Sequence, residues 1–167
     1  MPLLLRALLF TLIVPTTVGV LVPWWVASHG MPEDWGLLRY LGWPAIVAGA
    51  ASYLVCVRDF VVRGRGTPNP LDPPRHFVAS GLYRHVRNPM YVSIGLVILG
   101  EAALWQSRAV LLVLLFLWPL FHLFVTRYEE PHLRTVFGAE YEDYLRRVPR
   151  WVPRLRPAWR APDGPSA

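Results

Sequence analysis

Four long apolar blocks divide the chain, at residues 3–27, 37–62, 89–105 and 109–128. A helix that crosses a bilayer needs about 20 mainly apolar residues, and each block is read as a spanning helix, the third being short. Pro15 and Pro23 fall inside the first block and predict a kink there. In the second, Ala45, Gly49 and Ser52 place small residues at a spacing that suits close helix packing in lipid. Beyond the fourth block, residues 129–148 change pattern. Leu133, Val136, Phe137, Tyr141, Tyr144, Leu145 and Val148 recur at helical spacing, with Arg134, Glu142, Asp143 and Arg146 on the other face. This predicts a C-terminal amphipathic helix lying at the membrane interface, broken or bent at Gly138. Residues 64–74 (GRGTPNPLDPP) are too rich in Pro and Gly for a helix and predict an extended connector. The expected architecture is an all-α integral membrane protein: one domain over 1–155, and a Pro-rich, disordered tail over 156–167.

Composition strengthens this reading. Of 167 residues, 54% are hydrophobic and 17% charged, which leaves too little polar surface to cover a water-soluble globule. A disordered chain, a disulfide scaffold and a typical cytosolic enzyme are excluded. A cleaved signal peptide competes for the first block, but that block is too long for one and only Arg6 precedes its apolar run. The lone Cys56 allows neither an intramolecular disulfide nor a metal site. All 17 basic residues are Arg, and the net charge is +6. Such a balance suits nucleic acid, yet the arginines concentrate in residues 58–88 and after Arg127. The charge is therefore read as topology. Both segments, and both termini, are expected on the cytoplasmic side of a bacterial inner membrane, with anionic lipid heads as a secondary contact and no nucleic acid partner.

Two clusters hold candidate chemistry. In the first, residues 81–91 (GLYRHVRNPMY), Asn88 and Pro89 form a helix start: Asn caps, and Pro takes the first helical position. The positive end of that helix, with Arg84 and Arg87 beside it, would receive an anionic group; alternatively the two arginines only anchor the helix at the interface. In the second cluster, Glu129 and Glu130 follow the fourth block directly, where a helix dipole disfavours carboxylates. Arg127 and Arg134, or a cationic or hydroxyl-rich ligand, would offset that cost. Elsewhere Glu101 is expected to pair with Arg108, His122 to donate to a backbone carbonyl, Arg58 and Asp59 to snorkel, and Trp151 to join an interfacial belt.

The pattern Gly81-x-Tyr83-x-x-x-Arg87-Asn88-Pro89-x-Tyr91 resembles the central motif of the isoprenylcysteine carboxyl methyltransferases and phospholipid methyltransferases. A second block resembles their C-terminal motif: Glu129-Glu130-x-x-Leu133, then Phe137-Gly138-x-Glu140-Tyr141-x-x-Tyr144-x-x-Arg147-Val148-Pro149. The chain departs from the family at Asn88, where His is usual, and after Pro149. The resemblance implies a membrane methyltransferase that uses S-adenosylmethionine and acts on a lipid or prenylated small-molecule acceptor. The chemistry implied is O-methylation of a carboxylate or N-methylation of a phospholipid amine. It implies a cofactor pocket built by the two blocks from Gly81, Leu82, Tyr83, Arg87, Asn88, Pro89, Tyr91, Glu129, Glu130 and Leu133. Arg87, Arg147 and Glu130 are the implied catalytic residues, and Glu130, His85 or His132 the candidate bases for an amine. The acceptor's tail is expected to enter sideways between helices. A sterol-type reductase using NADPH, and a non-catalytic membrane module, are the alternatives.

Overall fold

The computed structural model describes residues 2–67 and 76–159. These are mainly helical, with no strand among them. Helix α1 runs Leu3–Ser28, α2 Gly36–Gly64, α3 Pro89–Leu104, α4 Arg108–Phe124 and α5 Glu130–Arg147. The stretch Val125–Glu129 is a π-helical turn, so α4 runs on into α5 without a break there, in a helical run of 40 residues in all. Among the described residues, three helical runs are long and apolar enough to cross a membrane, and α3 is a shorter apolar helix. Their outward faces agree with that role: Leu12 is 65% exposed and Phe116 71%, a cost in water that lipid removes.

The disturbance expected in α1 takes the form of a π-helical turn at Thr17–Leu21, between the two prolines. Each proline lacks the N–H that would continue the regular ladder, and the wider turn absorbs the mismatch. Helices α2 and α3 pack most closely. A Cβ on Gly49 would stand 2.7 Å from the Ser93 carbonyl oxygen, and one on Gly100 equally near the Gly42 carbonyl. Only glycine lets these backbones touch, which is how helices associate where lipid supplies no hydrophobic drive.

At one end of the bundle two short connections are latched together. The Glu33 and Trp35 amides donate to the Gln106 backbone and side-chain oxygens, and Arg108 and the Trp35 indole both donate to the Glu33 carboxylate. The expected Glu101–Arg108 pair is therefore absent. Gln106 takes a left-handed conformation (φ 51°) that turns Arg108 toward Glu33, leaving Glu101 buried within α3.

At the opposite end lie the start of α1, the end of α2, the start of α3 and α5. Gly138 interrupts α5 with non-helical angles (φ 52°, ψ −125°), the break expected there. The apolar stripe of α5 packs on protein: Tyr141, Tyr144 and Val148 form a buried cluster with Trp159, against Phe77 and Phe137. Of the tail expected to be disordered, Ala158 and Trp159 pack on this cluster, the indole 3% exposed, while Arg156 and Pro157 are exposed. Residues 160–167, and most of the 64–74 connector, lie outside the described residues.

Candidate functional site

The segment between α2 and α3 turns through a short 3-10 helix, Gly81–Arg84. Gly81 has φ 55°, and a Cβ there would collide with the Asp59 carboxylate, so both the turn and the close approach require glycine. Asp59, expected to snorkel, is instead buried under this turn (3% exposed). Tyr83 is buried edge-on to Phe60, and its carbonyl accepts the Tyr144 hydroxyl at 2.7 Å. Burial pushes the Tyr83 phenol well above its ordinary range, so it stays protonated.

From Arg84 to Asn88 the segment is laced to the chain that follows α5. That chain, residues 148–159, lies across it as a strap. The Arg84 side chain donates to the Trp159 carbonyl and the Ala158 amide to the Arg84 carbonyl, both at 2.8 Å. The His85 ring bonds the Arg154 carbonyl at 2.7 Å, and the Arg154 amide donates back to His85. The Arg87 amide donates to the Pro149 carbonyl and its Nε to the Val148 carbonyl. Asn88 sits at the N-cap position and Pro89 opens α3, as expected, but the Asn88 side chain makes no cap bond. Its side-chain amide nitrogen donates instead to the Arg150 carbonyl of the strap, at 3.1 Å.

Two arginines converge on one acid. Arg87 Nη1 donates to Glu130 Oε1 at 2.8 Å, while Arg150 grips both oxygens, Nε to Oε1 at 2.9 Å and Nη2 to Oε2 at 3.0 Å. The Glu130 side chain is 7% exposed. Its bonds to Arg150 push that guanidinium further above its already high range. The neighbouring Glu129 accepts the Tyr91 hydroxyl, and the Tyr91 ring packs on Phe121. Trp151, read as an interfacial belt residue, lies on α4 against Trp118 and donates its indole N–H to His122. His122 is thus an acceptor here, not a donor to backbone.

These groups border a cavity of about 380 Å³. One wall is polar: Arg87, Asn88, Glu129 and Glu130, with His132 exposed beside them. A second is aromatic: Phe60, Phe77, Tyr83, Phe137 and Tyr141. The remainder is apolar and lies between α1 (Phe10, Val14, Val18) and α4 (Phe121, Phe124).

Of the residues singled out from sequence, Tyr83, Arg87, Asn88, Tyr91, Glu129, Glu130 and Leu133 line this one cavity. Gly81, Leu82 and Pro89 are not among the described lining residues; the first shapes the turn and the last starts α3. Arg147 does not join the site. It pairs with Asp143 one turn back on α5, 60% exposed, and lies over the Trp159 ring. The helix ends at Arg147 and Val148 is extended (φ −99°, ψ 127°), so the chain reverses and brings Arg150 to Glu130 instead. Sequence reading missed Arg150. Its partner lies 20 residues away, and the strap has no periodicity to place it.

Fold and site together define a helical membrane protein with a largely apolar cavity, polar on one wall, at one end of its bundle. The family model of phospholipid methyltransferase matches residues 37–140, and the chain belongs to that family. Over 78 residues (47% of this chain, 36% of the relative) it is 41% identical to the cobalt-zinc-cadmium resistance protein CzcN of Cupriavidus metallidurans. Over 79 residues (47% of this chain, 33% of the relative) it is 38% identical to the protein-S-isoprenylcysteine O-methyltransferase of Schizosaccharomyces pombe. The matches thus span about a third of the length of these curated relatives. No solved structure matches the chain significantly.

Proposed function

We propose that this chain is a membrane-embedded, S-adenosylmethionine-dependent methyltransferase for a lipophilic acceptor. The observation that carries the reading is the cavity itself. Both motif blocks meet there, at a polar wall that continues into an apolar cleft between α1 and α4. Family membership and the isoprenylcysteine methyltransferase relative support it.

The donor set fits the cofactor. The start of α3 and the Arg87 guanidinium suit its carboxylate. Glu129 and Glu130 suit its amino group or ribose hydroxyls. The aromatic wall suits the adenine and the sulfonium, whose attraction to a ring face is worth roughly 0.5–2 kcal/mol. When bound, S-adenosylmethionine supplies an electrophilic methyl group: the acceptor's oxygen or nitrogen bonds the carbon as its bond to sulfur breaks, and S-adenosylhomocysteine leaves. The protein's part is alignment, worth up to about 7–11 kcal/mol, and exclusion of water.

A carboxylate acceptor needs no base, whereas an amine must lose a proton. Of the three candidate bases, Glu130 is held by two guanidiniums and His85 is tied to the strap. His132 borders the cavity, stacked beside Tyr128, and is the base in this reading for an amine. The acceptor's tail lies in the cleft between α1 and α4. The site end, rich in arginine, faces the cytoplasm.

The test is calorimetric titration of the detergent-solubilised protein with S-adenosylhomocysteine, with NADPH as control. Saturable binding of the former alone is expected. Binding of NADPH alone transfers the chain to the reductase reading, and silence from folded protein for both leaves a non-catalytic membrane module.

A further inference from the structure

We propose that Arg150 is a positioning residue of the cofactor site, acting through Glu130 without lining the cavity itself. The inference rests on the methyltransferase reading and deepens it. Glu130 and Arg87 border the cavity; Arg150 is not among its described lining residues. Arg87 reaches only Oε1 of Glu130. Without Arg150 the second oxygen would lose the donor seen in this structure, in a side chain that is 7% exposed. A carboxylate held by one bond at one oxygen is free to rotate about it. Held at both oxygens by the planar fork of a guanidinium, it has one orientation. The fork therefore sets the angle at which Glu130 meets a ligand, and with it the seat of the Arg87 guanidinium.

The strap makes this grip firm. The Arg150 carbonyl accepts the Asn88 amide, so the residue holds the start of α3 with its backbone while its side chain holds Glu130. On either side the Pro149 carbonyl accepts the Arg87 amide, and the Trp151 indole is fixed on His122 of α4. One residue thus joins the two motif blocks, on the N-terminal turn of α3 and on α5. Around Glu130 stand Arg87, Arg150, Glu129 and Tyr141, and Arg150 is the cation that comes from neither block.

The test is a double-mutant cycle read by S-adenosylhomocysteine affinity in detergent, using wild type, Arg150→Met, Glu130→Gln and the double variant. Loss of the charge-assisted fork should weaken Arg150→Met by at least about tenfold. If Arg150 acts through Glu130, the double variant should fall within about threefold of Glu130→Gln alone. Arg150→Lys keeps the charge without the fork and is the variant best able to fold. It should bind more weakly than wild type by about threefold or more. Wild-type affinity in both Arg150 variants overturns the inference while leaving the methyltransferase reading intact. Losses that multiply in the double variant overturn it as well, since Arg150 would then act independently of Glu130. A wild-type protein that does not bind S-adenosylhomocysteine overturns the reading itself and the inference with it.

Discussion

Both ends of the bundle are closed by an acid–arginine network, and the two differ in burial. At the latch, Glu33 is 31% exposed at its side chain and Arg108 76%. At the site, Glu130 is 7% exposed and Arg87 15%. Coulomb's law treats the two pairs alike, but solvent does not. Water screens the first and offers each partner an equally good alternative. The second has already lost its water, so a hydrogen bond removed from it is not replaced by solvent. The same chemistry is a fastening at one end and a constraint on ligand geometry at the other.

The largest effect should come from breaking the buried network at its centre. Arg87→Gln removes two charge-assisted bonds, to Glu130 and to the Val148 carbonyl, at a cost of roughly 1.5–3 kcal/mol each, while Arg150 still holds Glu130. Thermal unfolding in detergent measures this, and a melting temperature equal to wild type would place both networks on the same footing. A smaller loss, about 1–3 kcal/mol, is expected for Gly81→Ala, which puts a Cβ at positive φ and against the Asp59 carboxylate. Equal stability there would show that the turn under the motif is not constrained.

The smallest effect belongs to the latch. Glu33→Gln should shift the melting temperature by no more than about 1 °C, less in high salt, and leave S-adenosylhomocysteine affinity unchanged. Its pH dependence has a definite sign. The Trp35 indole bond and then Arg108 hold the Glu33 carboxyl below its ordinary value of 4.5. The folded protein therefore binds this proton less readily than the unfolded chain. The contribution is complete above pH 4.5 and is lost as pH falls through the lowered range. Wild type should show this shallow acid loss and Glu33→Gln should not; identical acid profiles would remove the latch from the stability balance.

The apolar helices were legible because a bilayer demands one feature of sequence, a run of apolar residues long enough to cross it. The expected blocks at 89–105 and 109–128 meet helices at Pro89–Leu104 and Arg108–Phe124, the latter carried on by its π-helical turn. The break at Gly138 was legible because glycine weakens any helix. Lateral pairings carry no such signature. Arg108 was paired in sequence with Glu101 on grounds of proximity, and the positive φ of Gln106 sent it to Glu33. Arg147 was favoured by its place in a motif, yet three residues further on the chain had reversed and Arg150 faced the site. The burial of Trp159 was hidden for the same reason, since a Pro-rich segment reveals its packing only once its partner surface exists.

The helix that carries Phe116 through the bilayer is the one that, without interruption, presents Glu129 and Glu130 to the cavity. From Arg108 to the bend at Gly138 it extends about 45 Å, against a hydrocarbon core of about 30 Å. Its tilt is set by its packing against the neighbouring helices and is adjusted by the thickness of the surrounding lipid. Bilayer composition therefore enters this protein as a mechanical variable: the rod that measures the membrane's depth also sets where its two carboxylates stand.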